Sequence, residues 1–202
     1  MIPDFFLNAL SATPDGLADE GDLSAPLTAA PTPAAVLVLL IEQAGGIDVL
    51  FTRRTDHLSD HPGQVCFPGG RMETGETPWQ TAVREAGEEV GMPPEWPKPL
   101  GYLPPYRTGT GFRIFPTVAR VDAPPFALEK LTGEDAEVAD IFTVPLTHLL
   151  DFNNHRREKL VYRGREHRYW VIGHDRWFIW GATAGMIVSL ARRCRGLAFE
   201  GG

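Results

Sequence analysis

Gly70, Glu76, Arg84, Glu85, Glu88, Glu89 and Gly91 stand in the frame G-x5-E-x7-R-E-x2-E-E-x-G, complete and ungapped. With each residue type at about 5–7% of average usage, a chance match has a probability on the order of 10⁻⁸ per starting position. The same stretch constrains the local fold. Thr77 is a good N-cap and Gln80, three residues on, completes a capping box. Pro78 occupies the first helical position, where a missing N–H does no harm. At roughly 100° per residue, Trp79, Ala82, Val83, Ala86 and Val90 fall on one apolar stripe. Gly91 supplies a stop, so the spacing predicts a helix from Thr77 to Val90.

Glu85, Glu88 and Glu89 fall on another face of that helix. Carboxylates at i, i+3 and i+4 repel, costing an isolated helix a few tenths of a kcal/mol per pair. Hard divalent cations, which take oxygen ligands together with water and phosphate, would offset that repulsion. Gly70 and Gly75 let the chain before the helix turn tightly and bring a backbone carbonyl to the same cation. Glu76 lies just before the helix and Arg84 two turns into it. An ion pair between them would pin the loop to the helix and orient the site without reacting.

Residues 70–92 resemble the signature of the Nudix hydrolases, with every specified polar position present. That family hydrolyses nucleoside diphosphates linked to some other group, using Mg²⁺ or Mn²⁺. The resemblance implies that Glu85, Glu88 and Glu89 are the metal ligands, that Gly70 adds its carbonyl, and that Glu76 pairs with Arg84. It also implies an α/β/α sandwich around a mixed β-sheet, an α+β fold.

Leu50 to Gly70 is similar to the pattern L-L-T-x2-S-x3-R-x3-G-x3-F-P-G-G of the family's coenzyme A subfamily. Leu50, Thr52, Gly63, Phe67, Pro68, Gly69 and Gly70 match, Thr55 keeps the hydroxyl of the usual serine, and Phe51 replaces a leucine. Ser59 stands where the pattern has arginine, which removes a bidentate phosphate reader. On this resemblance Arg53, Arg54, Thr55, Gly63 and Phe67 are the candidate substrate contacts. Further runs resemble the subfamily downstream: Leu103–Pro105, Thr108–Ile114, Pro116, Glu137–Val138, Val144–Leu146 and Ile179–Ala184.

Around the box, Ala35–Ile41 and Ile47–Arg53 read as a hairpin and Gln64–Phe67 as a third strand. Leu100–Leu103, Phe112–Val121 and Ala139–Val144 continue the sheet. Pro145–Leu150 reads as a short helix, Leu160–Tyr162 with Tyr169–Ile172 as a second hairpin, and Thr183–Arg195 as a closing helix with Met186, Ile187, Leu190 and Ala191 inward. Residues 1–33 read as a short helix and an Ala/Pro/Thr linker packed on the domain, and residues 34–202 as the catalytic unit, one domain in all.

The chain has 202 residues, 43% of them hydrophobic, enough for one substantial core. The net charge of −7 disfavours nucleic acid as a partner, because phosphate backbones require a broad basic surface. A polyanionic small molecule is met locally instead, by cations and by arginines among Arg53, Arg54, Arg71, Arg107 and Arg113. Arg156, Arg157, Arg163, Arg165 and Arg168 read as a solvated hairpin face. No apolar run approaches a membrane span, and the N-terminus lacks a basic leader region, which points to the cytoplasm. Cys66 and Cys194 lie in no metal-binding spacing, and Cys66 reads as packing.

The expected reaction is hydrolysis of coenzyme A, or its thioesters, to adenosine 3′,5′-bisphosphate and a 4′-phosphopantetheine product. The general base is a box glutamate or a later carboxylate, with Glu137 and then Glu134 as candidates. The rival enzyme reading is a diphosphatase acting on ADP-ribose, dinucleotides or other nucleoside diphosphate derivatives. A noncatalytic nucleotide-binding regulatory module is the reading from another class. The sequence allows a homodimer.

Overall fold

Side-chain alternation along one strand sets the architecture. In β2 (Thr32–Gln43), Ala35, Leu37, Leu39 and Ile41 enter one core while Val38 and Leu40 enter another. A strand buried on both faces lies at the centre of a covered sheet. It is flanked by β3 (Gly46–Arg54), antiparallel, and by β8 (Phe112–Val121), parallel. The computed structural model describes residues 1–14, 20–21, 30–57, 62–121, 131–133, 137–162 and 165–196, so expectations resting on Ser59, Glu134 and Arg163 lie outside it.

The expected first hairpin forms, with Gln43 opposite Gly46 at its turn. Beyond β3 lie β4 (Val65–Cys66) and β9 (Val138–Pro145), both antiparallel to it. Past β8 come β6 (Pro97–Tyr102), β7 (Tyr106–Arg107) and the two-residue β1 (Glu20–Gly21). The stretch after β4 does not run straight into the loop as expected. It first forms β5 (Gly69–Arg71), which pairs antiparallel with β2 at Ala34–Val36. Such short, glycine-rich pairings leave no periodic trace in a sequence.

One face of the sheet is covered by α2 (Pro78–Val90), whose Ala82, Ala86 and Val90 are buried against Leu37, Leu39, Leu50 and Ala119. The other is covered by α3 (Leu146–Leu150) and α4 (Gly181–Cys194), with Ile187 and Leu190 against Val38, Phe51 and Val118. This is the mixed-sheet α/β/α sandwich. A second sheet of β10 (His155–Tyr162), β11 (Arg165–His174) and β12 (Trp177–Trp180) adds Ile172 and Ile179 to the α4 side. The second hairpin is therefore longer than expected, and on its face Arg156 and Arg157 are exposed, with the Arg157 guanidinium 4.7 Å over the Trp170 ring.

α4 is buried continuously from Thr183 to Ala191, not along one stripe, because protein lies on every side of it. Within the first segment, α1 (Asp4–Leu7) buries Phe6 completely in the same core, and Arg193 Nε–H donates to Ala9 O at 2.8 Å. Among the described residues, no helix is long and apolar enough to cross a membrane.

Candidate active site

The start of α2 is built as its capping residues dictate. Gln80 N–H donates to Thr77 Oγ1 at 3.3 Å and Thr77 N–H to Gln80 Oε1 at 2.9 Å, while Gly91 closes the helix in the left-handed region at φ 64°. With both ends fixed, Glu85 and Glu89 come against β5. Gly69 N–H donates to Glu89 Oε2 at 3.1 Å. At Gly70 there is no space for a side chain: a Cβ would overlap the Glu85 carboxylate. β5 is equally tight against β2, where a Cβ on Gly69 would meet Ala35 O. The glycine pair thus lays bare backbone beside two carboxylates.

Arg84 uses all five guanidinium N–H groups. Nε donates to Glu76 Oε1 at 2.8 Å and Nη2 to Glu76 Oε2 at 3.1 Å, a bidentate pair. Nη2 also reaches Arg71 O at 3.2 Å, and Nη1 reaches Glu85 Oε1 at 2.9 Å and Glu88 Oε2 at 3.1 Å. Glu76 is held further by Thr81 Oγ1–H at 2.7 Å and Glu73 N–H at 2.9 Å. These bonds, that from Arg84 first, hold the Glu76 carboxyl down at about 2. Thr81 has no place in the sequence expectations. A threonine facing back toward the loop from the first turn was the available signal.

The three box glutamates do not stand as one cage. Glu88 is 56% exposed and turns to Arg84, because the guanidinium attracts it and Glu85 repels it. Among the described residues, no three His, Cys, Asp or Glu side chains are gathered to enclose a cation by themselves. Glu85 and Glu89 are the inward pair. Burial raises both, Glu89 to about 8, with Glu85 and Glu137 adding to the effect and Arg54 opposing it. A buried carboxylate pair of this kind favours a nearby cation. The fit to Mg²⁺ or Mn²⁺ is good: the donors are all oxygen, there are two inward carboxylates, and the Gly70 backbone is uncovered at the point a side chain would fill.

The candidate substrate residues separate into two groups. Arg54 is half-buried, on the α2 face with Leu50, and its charge acts on Glu89 and Cys66. Glu137 is exposed, accepts Thr55 N–H at its carbonyl at 2.9 Å, and acts electrostatically on Glu89. Arg54 and Glu137 thus act on Glu89 through their charges. Arg53 is not brought to the box carboxylates, contrary to expectation. It follows Phe51 onto the α4 side, and its Nε–H donates to Asp140 at 2.7 Å and its Nη1 to Asp56 at 3.0 Å. Phe67 is likewise a correction: the ring is 3% exposed and stacks on Phe51 at 4.8 Å, so it packs the core instead of facing a ligand.

Thr55 is buried, and Gly63 supports the turn after it at φ 66°, where a Cβ would meet Asp56 Oδ1. Cys66 shares a 3.3 Å contact with the Thr52 hydroxyl, and burial pushes its thiol up to about 11, which suits packing.

A family model described as the NUDIX domain matches residues 31–164. The chain is 40% identical over 161 residues to a protein called uncharacterized Nudix hydrolase NudL from Enterobacter sp. (strain 638), covering 78% of this chain and 80% of that one. It is 38% identical over 161 residues to the protein of the same name from Escherichia coli (strain K12), with the same 78% and 80% shares. A solved Nudix hydrolase from M. smegmatis, RenU, is 25% identical with a TM-score of 0.48, covering 64% of this chain and 80% of that chain. With its box residues assembled at the junction of β5 and α2, the chain belongs to the Nudix hydrolases, enzymes acting on nucleoside diphosphate derivatives.

Proposed function

We propose that this hydrolase cleaves the diphosphate of coenzyme A or its thioesters, releasing adenosine 3′,5′-bisphosphate and a 4′-phosphopantetheine product. The observation that carries the chemistry is the meeting of Glu85 and Glu89 with the bare Gly69–Gly70 backbone. Glu85, Glu89 and the Gly70 carbonyl would hold Mg²⁺ or Mn²⁺, with Glu88 at the outer edge. Such cations supply an activated water and neutralise charge on the diphosphate when bound. Arg54 adds a fixed positive charge on the same face for the phosphate oxygens. Glu137 would accept the proton of the attacking water. Glu76 and Arg84 keep Glu85 in position and do not react.

The coenzyme A reading is supported by the Leu50–Gly70 pattern and the downstream runs that resemble that subfamily. Ser59, standing where that pattern has arginine, favours the rival reading of ADP-ribose or a dinucleotide as substrate. The deciding experiment incubates the protein with coenzyme A, acetyl-coenzyme A, ADP-ribose and a diadenosine polyphosphate, each with Mg²⁺ or Mn²⁺, and separates the products by chromatography. Coenzyme A or its thioester should be turned over fastest. Faster turnover of ADP-ribose overturns the substrate assignment, and no turnover of any of the four favours a binding module. Glu85→Gln should remove most activity at nearly unchanged thermal stability.

A further inference from the structure

Thr81 is wholly buried near the start of α2, yet its hydroxyl bonds outside the helix. A threonine within a helix commonly turns its hydroxyl to the carbonyl of the preceding turn. Here Thr77 O accepts Thr81 N–H at 3.1 Å, while Thr81 Oγ1–H donates at 2.7 Å to Glu76 Oε2 in the loop before the helix. The capping box, with Thr77 and Gln80 bonded to each other in both directions, fixes the turn from which Thr81 reaches back.

Glu76 Oε2 takes three donors: Thr81 Oγ1 at 2.7 Å, Glu73 N at 2.9 Å and Arg84 Nη2 at 3.1 Å. Two of these, Thr81 and Arg84, stand about one turn apart on α2, so the carboxylate is held at two points of the helix it faces. Without the Thr81 hydroxyl, the carboxylate can pivot on the guanidinium. A guanidinium is planar and rigid, so a turn at its Nε–Nη2 edge moves Nη1 as well. Nη1 carries the bonds to Glu85 at 2.9 Å and Glu88 at 3.1 Å. A displacement of Glu76 is thereby passed to the carboxylate that lies against Gly70.

We propose that Thr81 is a positioning residue of the metal site: by donating to Glu76, its hydroxyl fixes the Arg84 guanidinium and, through it, the Glu85 carboxylate. The cation in this statement rests on the reading of Glu85 as a metal ligand given above, while the chain of hydrogen bonds does not. A core filler acts through its methyl group and a positioning residue through its hydroxyl, and two single changes separate them. Thr81→Val loses the hydroxyl and keeps the bulk, whereas Thr81→Ser keeps the hydroxyl and loses the methyl.

The test reads Mn²⁺ affinity by electron paramagnetic resonance, without substrate. Thr81→Val should weaken it about tenfold, as for other partners that orient a ligand, and Thr81→Ser should stay within about twofold of wild type. In a Glu76→Ala background Thr81→Val should add nothing, because its acceptor is gone. A serine variant as weak as the valine variant, a valine variant with wild-type affinity, or an effect that multiplies with that of Glu76→Ala overturns the proposal. If Thr81→Val does not fold, Thr81→Ala takes its place, since alanine also lacks the hydroxyl and favours the helix. A crystal structure of the same variant gives a reading independent of metal: the Glu76 carboxylate should turn, and Arg84 Nη1 should part from Glu85 Oε1. A bond that stays in place overturns the inference. A wild type that binds no Mn²⁺ counts against the metal-site reading alone, and the crystal structure then decides the role of Thr81.

Discussion

At Gly70 a single absent methyl group keeps the Glu85 carboxylate against the β5 backbone. Because a carboxylate is the far end of a flexible side chain, Gly70→Ala should fold and push it aside. We expect Mn²⁺ affinity to fall roughly 10–100-fold, as for other changes that misplace a ligand, with thermal denaturation shifted little. Electron paramagnetic resonance titration of Mn²⁺ measures this, and unchanged affinity would place the ion elsewhere. Glu76 makes a separate prediction. Its carboxyl titrates at about 2 in the fold against an ordinary value of 4.5, so the unfolded chain takes up the proton first as pH falls. The stabilisation is complete above about pH 4.5 and is lost as pH falls toward 2. Glu76→Gln should therefore melt below wild type at pH 7, with the gap closing across that window. A gap that stays constant with pH would assign the stabilisation to something other than the carboxylate charge. The Glu76–Arg84 geometry was legible because both lie in one short frame. The partners of Arg53 were not, since Asp140 is distant in sequence and nothing in the β3 residues indicates what lies alongside.

Elements with strong local instructions matched their sequence description. α2 begins after Thr77 and ends before Gly91, as the capping box and the glycine dictate. Thr77→Ala should cost about 1 kcal/mol by chemical denaturation, and an unchanged midpoint would show that packing on Leu39 and Ala119 alone fixes the helix. α4 carries no such instructions. Its N-cap, Trp180, makes no side-chain capping hydrogen bond, and its burial from Thr183 to Ala191 comes from tertiary packing. That is why a single inward stripe understated it. Gly185 marks the closest contact, with the Tyr106 ring in the space a Cβ would occupy. Gly185→Ala sets a gain in helix propensity against this overlap. Overpacking typically costs about 1–3 kcal/mol, so the variant should be less stable than wild type. β5 and β7 were invisible for the opposite reason: three and two residues are too few to show a period, and their pairing is decided by β2 and β8.

Across the described residues the central sheet separates the candidate site from its support. Glu85, Glu89 and Arg54 belong to the α2 side, while Phe6, the Phe51–Phe142–Trp177 ring stack and α4 fill the other side. The layering was legible from the mixture of strands with one helix after the third strand and another near the C-terminus. The second sheet was not, because its packing on α4 depends on contacts between distant segments. The first eleven residues complete the α4 side: Phe6 is fully buried, Ile2 and Ala9 accompany it, and Ser11 pairs with Tyr102 through bonds of 3.0 and 2.9 Å. Removing the Phe6 ring leaves a cavity that a well-packed core cannot collapse around, at a cost of about 3–5 kcal/mol. The α2 face keeps its own contacts, so Phe6→Ala should melt well below wild type yet retain its KM and kcat at a temperature where it is still folded. A KM raised in step with the lost stability would mean that the sheet transmits the damage, and that the two faces act as one unit.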